Sequence, residues 1–415
     1  MNLKMTKEQK EAFKKLSEIK VGALFMKMGT GKTKVAIDLV EYNNCDILIY
    51  LTPFSTKNNI EKEFKKWNMK TQYYILAYET LSSSDREYLK VLDLLKNKKV
   101  FIIADESIFI KNDETKRFTR ACKLRSLCEY ALILNGTPLT KTEYDLYNQM
   151  YFLSPKIIGM TKEEFKNNFY KKIEYKKAFE KPKVFYKFSK RNADVLYKMI
   201  EPYIFKCDLN FSLKESTIKS YVPYSETDYY IIKEKFFNKF IKNGNIEDIL
   251  ALLNKLNFIA STYEEKNKEV IYEAKNKQVI VFCNYLNEVE YYKNNMDCYI
   301  ITGSTKKDTR TKIIEQFRND NKPLVLTFGV GSYSLNLQFC NKIIYSSINF
   351  DFGKIEQSQY RIKRMGQEKE IEYRYILSDL GIVKLIERCI QRKESINDLI
   401  KDNMMKGDTE WLKNI

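Results

Sequence analysis

VGALFMKMGTGKT, residues 21–33, runs from an apolar stretch into a glycine-containing loop that closes on Lys32 and Thr33. The apolar stretch predicts a buried strand. The residues after the loop predict a helix with one apolar face, formed by Val35, Ala36, Leu39 and Val40. Backbone N–H groups at a helix N-terminus together with a lysine bind phosphate, and the threonine hydroxyl suits Mg²⁺. The stretch therefore predicts a nucleotide-phosphate site, with a glycine-rich turn that binds nothing as the alternative.

Short apolar runs recur along the chain, and polar or glycine-containing loops follow them. The first set comprises Val21–Met26, Asp46–Thr52, Thr71–Ala77, Val100–Ala104 and Ala131–Leu134. The second comprises Gln278–Phe282, Tyr299–Thr302, Leu324–Phe328, Lys342–Tyr345 and Glu372–Leu377. Such runs alternating with helical patterns predict parallel sheets covered by helices.

Two regions with this pattern predict an α/β protein with two parallel-sheet lobes. We expect the first lobe at 1–155 and the second, with a helical tail, at 266–415. Between them, residues 156–265 are rich in Lys, Phe and Tyr and show helical periodicity, which predicts a helical insertion.

The 415 residues carry a formal net charge of +18, spread along the chain. Basic surface of this size favours polyanions, because neutralised phosphates release condensed counterions. A bias toward lysine codons is the alternative. The length exceeds what one core usually supports, so more than one domain is expected.

Cysteine and histidine usage narrows the chemistry. The eight cysteines form no CxxC pair, which disfavours zinc sites and disulfides, and the absence of histidine leaves carboxylates as the candidate general bases. The first residues are too charged for a signal peptide, and no apolar run reaches membrane-spanning length. We expect a cytoplasmic protein with no membrane contact.

ADES, residues 104–107, follows the apolar run VFII. A carboxylate at a strand end can hold the water shell of a metal ion, which we expect of Asp105. Glu106 can then orient and deprotonate an attacking water molecule. An ordinary acidic turn is the alternative when the motif is read alone.

The ordered motifs together resemble those of superfamily-two helicases and, within them, the Swi/Snf-type double-stranded DNA translocases. In the first half they are MGTGKT, TPFSTKNNIEKEFKKW, AYET, ADESIFIKN and LNGTPL. In the second half they are VIVFCN, ITGS, LTFGVGSYSLNLQ and QSQYRIKRMGQ. The resemblance covers roughly residues 5–400 and implies two RecA-like lobes that bind ATP and Mg²⁺ between them.

The resemblance also implies roles for individual residues. It assigns catalysis to Lys32, Asp105, Glu106, Arg361 and Arg364, the arginines acting as fingers from one helical face. It assigns nucleotide binding to Gln9, Met28, Gly29, Thr30, Gly31, Lys32, Thr33, Gly331 and Gln357, and Mg²⁺ binding to Thr33 and Asp105. It assigns DNA contacts to Thr52, Pro53, Tyr78, Thr80 and Gly303, and coupling of hydrolysis to DNA contact to Gly136 and Thr137.

The sequence departs from the family pattern at three places. Ile108 stands where the acidic motif usually ends in histidine, which bears on coupling between ATP and DNA. Ser332 and Ser334 replace expected glycines, which reduces backbone freedom there. IFKCDL, residues 204–209, stands where paired arginines are often found.

These observations favour an ATP-dependent double-stranded DNA translocase, a DNA-dependent ATPase that works as a monomer. A phage or mobile-element origin is expected from the composition, with replication or recombination proteins as partners in the host cytoplasm. A strand-separating helicase on DNA or RNA is the nearest alternative. A nucleic-acid-binding module with a decayed ATPase is an alternative of another class.

Overall fold

The computed structural model describes residues 5–27, 29–136, 143–175, 183–207, 213–243, 246–331, 335–364 and 366–392, with 396, 399–400, 403, 410–413 and 415. The chain forms two compact units, residues 1–210 and 211–415. Within the described residues, no helix is long and apolar enough to cross a membrane.

The first unit has eight described strands: β1 Val21–Met26, β2 Ile47–Thr52, β3 Gln72–Ala77, β4 Val100–Asp105, β5 Tyr130–Asn135, β6 Tyr170–Tyr175, β7 Lys183–Phe188 and β8 Ile204–Cys207. Six of them form one sheet in the order β3-β2-β4-β5-β1-β8, and every neighbouring pair is parallel. Strands β6 and β7 pair only with each other, as an antiparallel hairpin.

Helices cover the first sheet: α1 Lys7–Ser17, α2 Lys32–Tyr42, α3 Lys57–Lys66, α4 Tyr78–Ser83, α5 Asp85–Leu94, α6 Lys116–Arg125, α7 Glu143–Leu153, α8 Lys162–Phe169 and α9 Ala193–Ile200. Every residue of β2 and β4 is buried. Alternate strand residues join two separate hydrophobic clusters, such as Ile49 in one and Leu48 in the other. Burial on both faces explains why these strands appear in the sequence as continuous apolar runs.

The second unit repeats this arrangement with β9 Glu215–Val222, β10 Ile280–Cys283, β11 Tyr299–Ile301, β12 Leu324–Thr327, β13 Lys342–Tyr345 and β14 Ile371–Ser378. The sheet order is β11-β12-β10-β13-β14-β9, again parallel throughout. Its helices are α10 Asp228–Asn243, α11 Ile246–Thr262, α12 Glu264–Ala274, α13 Leu286–Asn295, α14 Lys307–Arg318, α15 Phe328–Gly331, α16 Phe352–Gln359, α17 Gly381–Arg392 and α18 Glu410–Lys413.

The predicted fold of two parallel-sheet lobes is confirmed, and all ten predicted strands form with ends shifted by at most two residues. The expected helical insertion at 156–265 is different in the structure. This region contributes β8 to the first sheet and β9 to the second, and the boundary between the two units falls after residue 210. Most side chains of β9 are exposed, so this strand has no apolar run that would reveal it in the sequence.

The second unit buries an ion pair between Lys266 and Glu288, whose charged atoms lie 3.5 Å apart. Both side chains are fully buried. Lys266 Nζ also donates to the Ser346 carbonyl oxygen at 2.7 Å, while the Glu288 carboxylate accepts from the hydroxyls of Ser346 and Ser347. These bonds tie α12 and α13 to the residues that follow β13, at the carboxyl end of the sheet.

Replacing Lys266 with methionine should destabilise the second unit by about 3–5 kcal/mol, because the buried Glu288 charge loses its counter-ion. Urea unfolding followed by circular dichroism measures the change. The matched control is Lys268→Met on the same helix, whose ammonium is exposed beside Glu264 and Glu265 and should leave the unfolding midpoint nearly unchanged. Equal small effects of both substitutions would contradict a structural role for the buried pair.

Candidate active site

The phosphate loop joins β1 to α2 through two glycines with left-handed backbone, Gly29 at φ 86° and Gly31 at φ 81°. Gly31 is the residue immediately before α2, so the loop leads directly into the helix N-terminus. The Thr30 hydroxyl donates to the Lys27 carbonyl oxygen at 2.7 Å, which closes the turn. Met28, predicted to contact nucleotide, lies outside the described residues. The loop thus combines positive φ values that suit glycine with N–H donors at a helix start.

Gln9 packs against this loop and is almost fully buried. Its amide nitrogen Nε2 donates to the Thr30 carbonyl oxygen at 3.0 Å, and its Oε1 accepts from the Thr6 backbone N–H at 3.0 Å. A Cβ on Gly31 would collide with Gln9 Nε2. Gln9 therefore holds the loop to the start of α1, a structural contact that the sequence did not reveal. The nitrogen and the oxygen of the Gln9 side-chain amide can each form one more hydrogen bond, so the predicted adenine contact stays a prediction.

The acidic pair lies at the carboxyl end of β4, where this strand ends at Asp105. Glu106 Oε1 lies 3.9 Å from Lys32 Nζ, so the structure brings the acidic motif and the phosphate loop together. Asp105 is buried, and this burial raises the pKa of its carboxyl to about 6, although the charge of Lys32 opposes the shift. Its Oδ1 accepts the Glu106 backbone N–H at 3.0 Å. The site therefore holds a poorly compensated carboxylate next to a lysine.

Glu106 has a left-handed backbone, with φ 49° and ψ 54°. The other non-glycine residues with positive φ in the described part of the chain are all asparagines: Asn44, Asn68, Asn97 and Asn276. Asparagine tolerates this conformation, whereas for glutamate it costs on the order of 1–3 kcal/mol. Strain of this kind persists only where the surroundings enforce it, and it aims the Glu106 side chain toward Lys32.

A buried polar cluster fixes the residue after Glu106. The Ser107 hydroxyl donates to Gln149 Oε1 at 2.5 Å, and Asn135 Nδ2 lies 3.4 Å from both the Ser107 hydroxyl and Gln149 Oε1. All three side chains are excluded from solvent. The cluster connects the turn after β4 with α7 and with the last residue of β5, immediately before Gly136. Thr137, the second predicted coupling residue, lies outside the described residues.

Several predicted DNA-contact residues are not exposed. Thr52, Pro53 and Tyr78 are buried, and the Tyr78 hydroxyl donates to the Asp105 carbonyl oxygen at 2.8 Å. Thr80 is half-buried and Gly303 is exposed. In this structure Tyr78 braces the acidic motif.

Sequence reasoning missed the exposed aromatic residue of the same loop. Phe54 is 67% exposed, and its backbone N–H donates to the Glu79 carboxylate at 2.9 Å. The Thr52 and Thr56 hydroxyls lie 2.6 Å apart beneath it and stabilise the turn. An aromatic residue directly after a Thr-Pro pair at a strand end is the signal that could have found it.

The two arginines of the second unit do not lie on a helix, contrary to the expectation of one helical face. Helix α16 ends at Gln359, because the backbone then switches to shorter turns, such as Arg361 N–H to the Ser358 carbonyl oxygen. Arg361 is 1% exposed, and its Nε donates to the Gln357 carbonyl oxygen at 3.2 Å. Arg364 is half-buried, and its Nη1 donates to Asn336 Oδ1.

The remaining predicted residues of the second unit lie near strand ends or in α16. Gly331 ends the short helix α15 after β12, while Ser332 and Ser334 lie outside the described residues. Gln357 is on α16, and its Oε1 is buried without a hydrogen-bond partner among the described residues. A buried acceptor of this kind is costly unless a ligand or a rearrangement satisfies it.

The oxygen donors beside the phosphate loop fit Mg²⁺. Asp105 is a buried carboxylate whose raised pKa shows that nearby positive charge is insufficient, and a divalent cation would supply what is missing. Thr33, in the first turn of α2, adds a hydroxyl. Hard oxygen ligands of this type, few in number, are those Mg²⁺ uses together with phosphates and water.

Comparison with known proteins gives matches along most of the chain. A family model described as "SNF2-related domain" matches residues 46–267, and one described as "Helicase conserved C-terminal domain" matches residues 263–366. An uncharacterized ATP-dependent helicase of Mycoplasma genitalium is 24% identical over 95% of this chain, which spans 41% of that protein. The human DNA repair and recombination protein RAD54B is 29% identical over 37% of this chain and 18% of its own length.

Among solved structures, the Sulfolobus solfataricus SWI2/SNF2 ATPase core domain aligns with 96% of this chain and 91% of its own length. The sequence identity is 19% and the TM-score is 0.43.

Asp105→Asn should stabilise the protein at pH 8 when Mg²⁺ and nucleotide are absent. The pKa of Asp105 is raised in the folded state from 3.8 to about 6, so its ionisation opposes folding. The loss of folding free energy caused by this ionisation is absent below about pH 4. It grows between the two pKa values and reaches about 3 kcal/mol above pH 6. Urea unfolding of the unaltered protein and of Asp105→Asn at pH 4.5 and pH 8 measures whether their difference in unfolding free energy grows as pH rises.

Asp85→Asn is the control of opposite sign, because hydrogen bonds from Arg120 and Lys116 lower the pKa of Asp85 to about 2. Its ionised form favours folding, so this substitution should never stabilise the protein at pH 8. A stability difference for Asp105→Asn that does not change with pH would show that ionisation of Asp105 does not oppose folding.

Proposed function

The chain belongs to the SNF2-related family, and we propose that it is a DNA-dependent ATPase of helicase superfamily two that moves along double-stranded DNA. The observation that carries the proposal is the approach of Lys32 Nζ to Glu106 Oε1, 3.9 Å apart at the carboxyl edge of the first sheet. A phosphate-binding lysine beside a strained, partly exposed glutamate suits hydrolysis of a nucleotide. The chain spans 41% of the length of the mycoplasma relative.

In the proposed hydrolysis, the site residues of the first unit have separate roles. Lys32 and the N–H groups at the start of α2 bind the phosphates, with Gln9 holding the loop in place. Thr33 and Asp105 would hold Mg²⁺, which neutralises phosphate charge when bound. Glu106 orients the attacking water and takes its proton, as a carboxylate must in a chain without histidine.

The net positive charge of the chain and an exposed position after a strand support duplex DNA as the ligand along which the protein moves. The net charge of +18 favours a polyanion. At Gly303 an added Cβ would meet open space, so the fold itself does not require glycine there, and a ligand backbone has room to approach. RAD54B is named as a DNA repair and recombination protein, which supports DNA as the ligand here and a role in recombination. Contacts to phosphates position the protein without reading the base sequence.

Hydrolysis should be stimulated by double-stranded DNA more than by single-stranded DNA or RNA, measured in parallel as phosphate release. Glu106→Gln should bind ATP normally while losing about 10²–10⁴-fold in turnover, because an amide cannot accept the proton. Lys32→Ala, the companion variant, should instead weaken ATP binding. Stimulation of ATP hydrolysis by RNA alone would refute the proposal that the protein moves along DNA. A Glu106→Gln enzyme with more than about a tenth of normal turnover would refute the general base.

Arg361 and Arg364 are proposed to stabilise charge on the γ-phosphate during hydrolysis. Arg364→Ala should bind ATP and DNA nearly normally and lose about 10³-fold or more in DNA-stimulated turnover. Arg364→Lys should recover little, since an ammonium cannot replace the planar guanidinium. Turnover at saturating DNA, together with separate ATP and DNA affinities, measures these effects.

Asn336→Ala is the matched control, because it removes the acceptor of one Arg364 hydrogen bond, that from Nη1, and keeps the guanidinium. It should retain most of the turnover. If Asn336→Ala loses as much turnover as Arg364→Ala, the contact between Arg364 and Asn336 serves to stabilise the second unit. If Arg364→Ala weakens only DNA affinity, Arg364 is a phosphate contact.

A further inference from the structure

The β6–β7 hairpin of the first unit is not used by the proposed ATPase chemistry. Its strands, YKKIEY and KVFYKF, contain four lysines, five aromatic residues and one glutamate. It pairs with neither six-stranded sheet. Isolated two-stranded hairpins are marginally stable in water, so this one depends on its anchorage to the unit.

Aromatic packing anchors the base of the hairpin. The Phe188 ring lies 5.5 Å from that of Tyr170 and 6.5 Å from that of Phe169, centroid to centroid. The Tyr170 hydroxyl accepts the Tyr144 backbone N–H at 2.9 Å, in the first turn of α7. This helix also carries Gln149, which contacts Ser107 beside the catalytic glutamate. The hairpin is therefore fixed to the helix that supports the acidic motif.

Beyond its base the hairpin presents basic and aromatic groups to solvent. Tyr186 is 45% exposed, and Lys166 Nζ lies 5.7 Å from the centre of its ring. Lys171 and Lys172 are exposed on β6. The strand register places Lys172 opposite Tyr186, so these two residues share one face of the hairpin, whereas Lys171 belongs to the other face.

We propose that this hairpin binds unpaired nucleic-acid bases next to the duplex, with Tyr186 stacking on a base and Lys172, on the same face, contacting a phosphate. The inference rests on the proposed function for the presence of DNA. Grooves that bind single strands combine basic side chains along the backbone with aromatic rings on which bases stack. A continuous duplex hides its base faces and would use only the lysines. An acidic protein would likewise pair with the lysines and leave the exposed ring without a role.

The test compares two DNAs, a blunt duplex and the same duplex with an unpaired fork at one end. Tyr186→Leu keeps an apolar side chain and removes the aromatic face. It should weaken fork binding about 5- to 150-fold, the value of one base–aromatic stack, and leave blunt-duplex affinity unchanged. Fluorescence anisotropy of labelled DNA gives both dissociation constants. The control Tyr42→Leu alters another exposed tyrosine of the first unit, 59% exposed, and should affect neither DNA.

The role of Lys172 is tested through salt dependence. Lys172→Gln should reduce the slope of log K against log salt for the fork by about 0.7, since each single-strand phosphate contact contributes about 0.7. The control Lys171→Gln removes the same charge from the opposite face of β6 and should leave the slope unchanged. Stimulation of ATP hydrolysis by the blunt duplex verifies that each variant is folded.

Equal losses on both DNAs would overturn the proposal and make the hairpin a duplex contact. Unchanged binding to both would also overturn it and leave an acidic protein as the candidate partner. Failure of the proposed function is distinct, because it would appear as absent duplex stimulation in the unaltered protein. The preference for the fork is a binding measurement and does not depend on turnover.

Discussion

The left-handed backbone of Glu106 is the constraint on which the candidate active site depends. Its side chain lies beside Lys32 because the backbone turns sharply after β4, and a glutamate does not adopt that turn on its own account. The buried Ser107 hydroxyl, bonded to Gln149 and close to Asn135, holds the next residue from two other elements. Removing one partner would leave buried polar atoms unsatisfied, so the cluster resists relaxation of the strain.

Asp105 adds a second cost at the same strand end. Its burial raises the pKa of the carboxyl, so at neutral pH the folded protein without ligand holds an ionised group that burial disfavours. A cation or the charge of a bound nucleotide complex can offset that cost only while it is present. Strain at Glu106 and burial at Asp105 therefore make the unliganded site less stable than its surroundings. This is the usual condition of sites that must bind and release a ligand in each cycle.

The sequence predicted the strands and the phosphate loop because burial on both faces turns each strand into an apolar run, and left-handed turns favour glycine. It missed β8 and β9, one short and the other mostly exposed, since neither carries that pattern. It placed Asp105 and Glu106 correctly at a strand end, but Tyr78 was expected on the surface and is buried beneath them. The Ser107, Asn135 and Gln149 cluster joins residues far apart in sequence, so no local pattern could reveal it.

Burial of Thr52, Pro53 and Tyr78 also changes how nucleic acid can influence hydrolysis. Buried side chains cannot contact a ligand directly, but they can transmit its effect. The Tyr78 hydroxyl donates to the Asp105 carbonyl oxygen, and the neighbouring Glu79 carboxylate accepts the backbone N–H of exposed Phe54. The hairpin is also connected to the acidic motif, through Tyr170, α7 and Gln149. Two exposed elements thus connect to one strained glutamate through short chains of hydrogen bonds. If both are occupied by nucleic acid, their effects on turnover should not be additive, because they act on a shared residue.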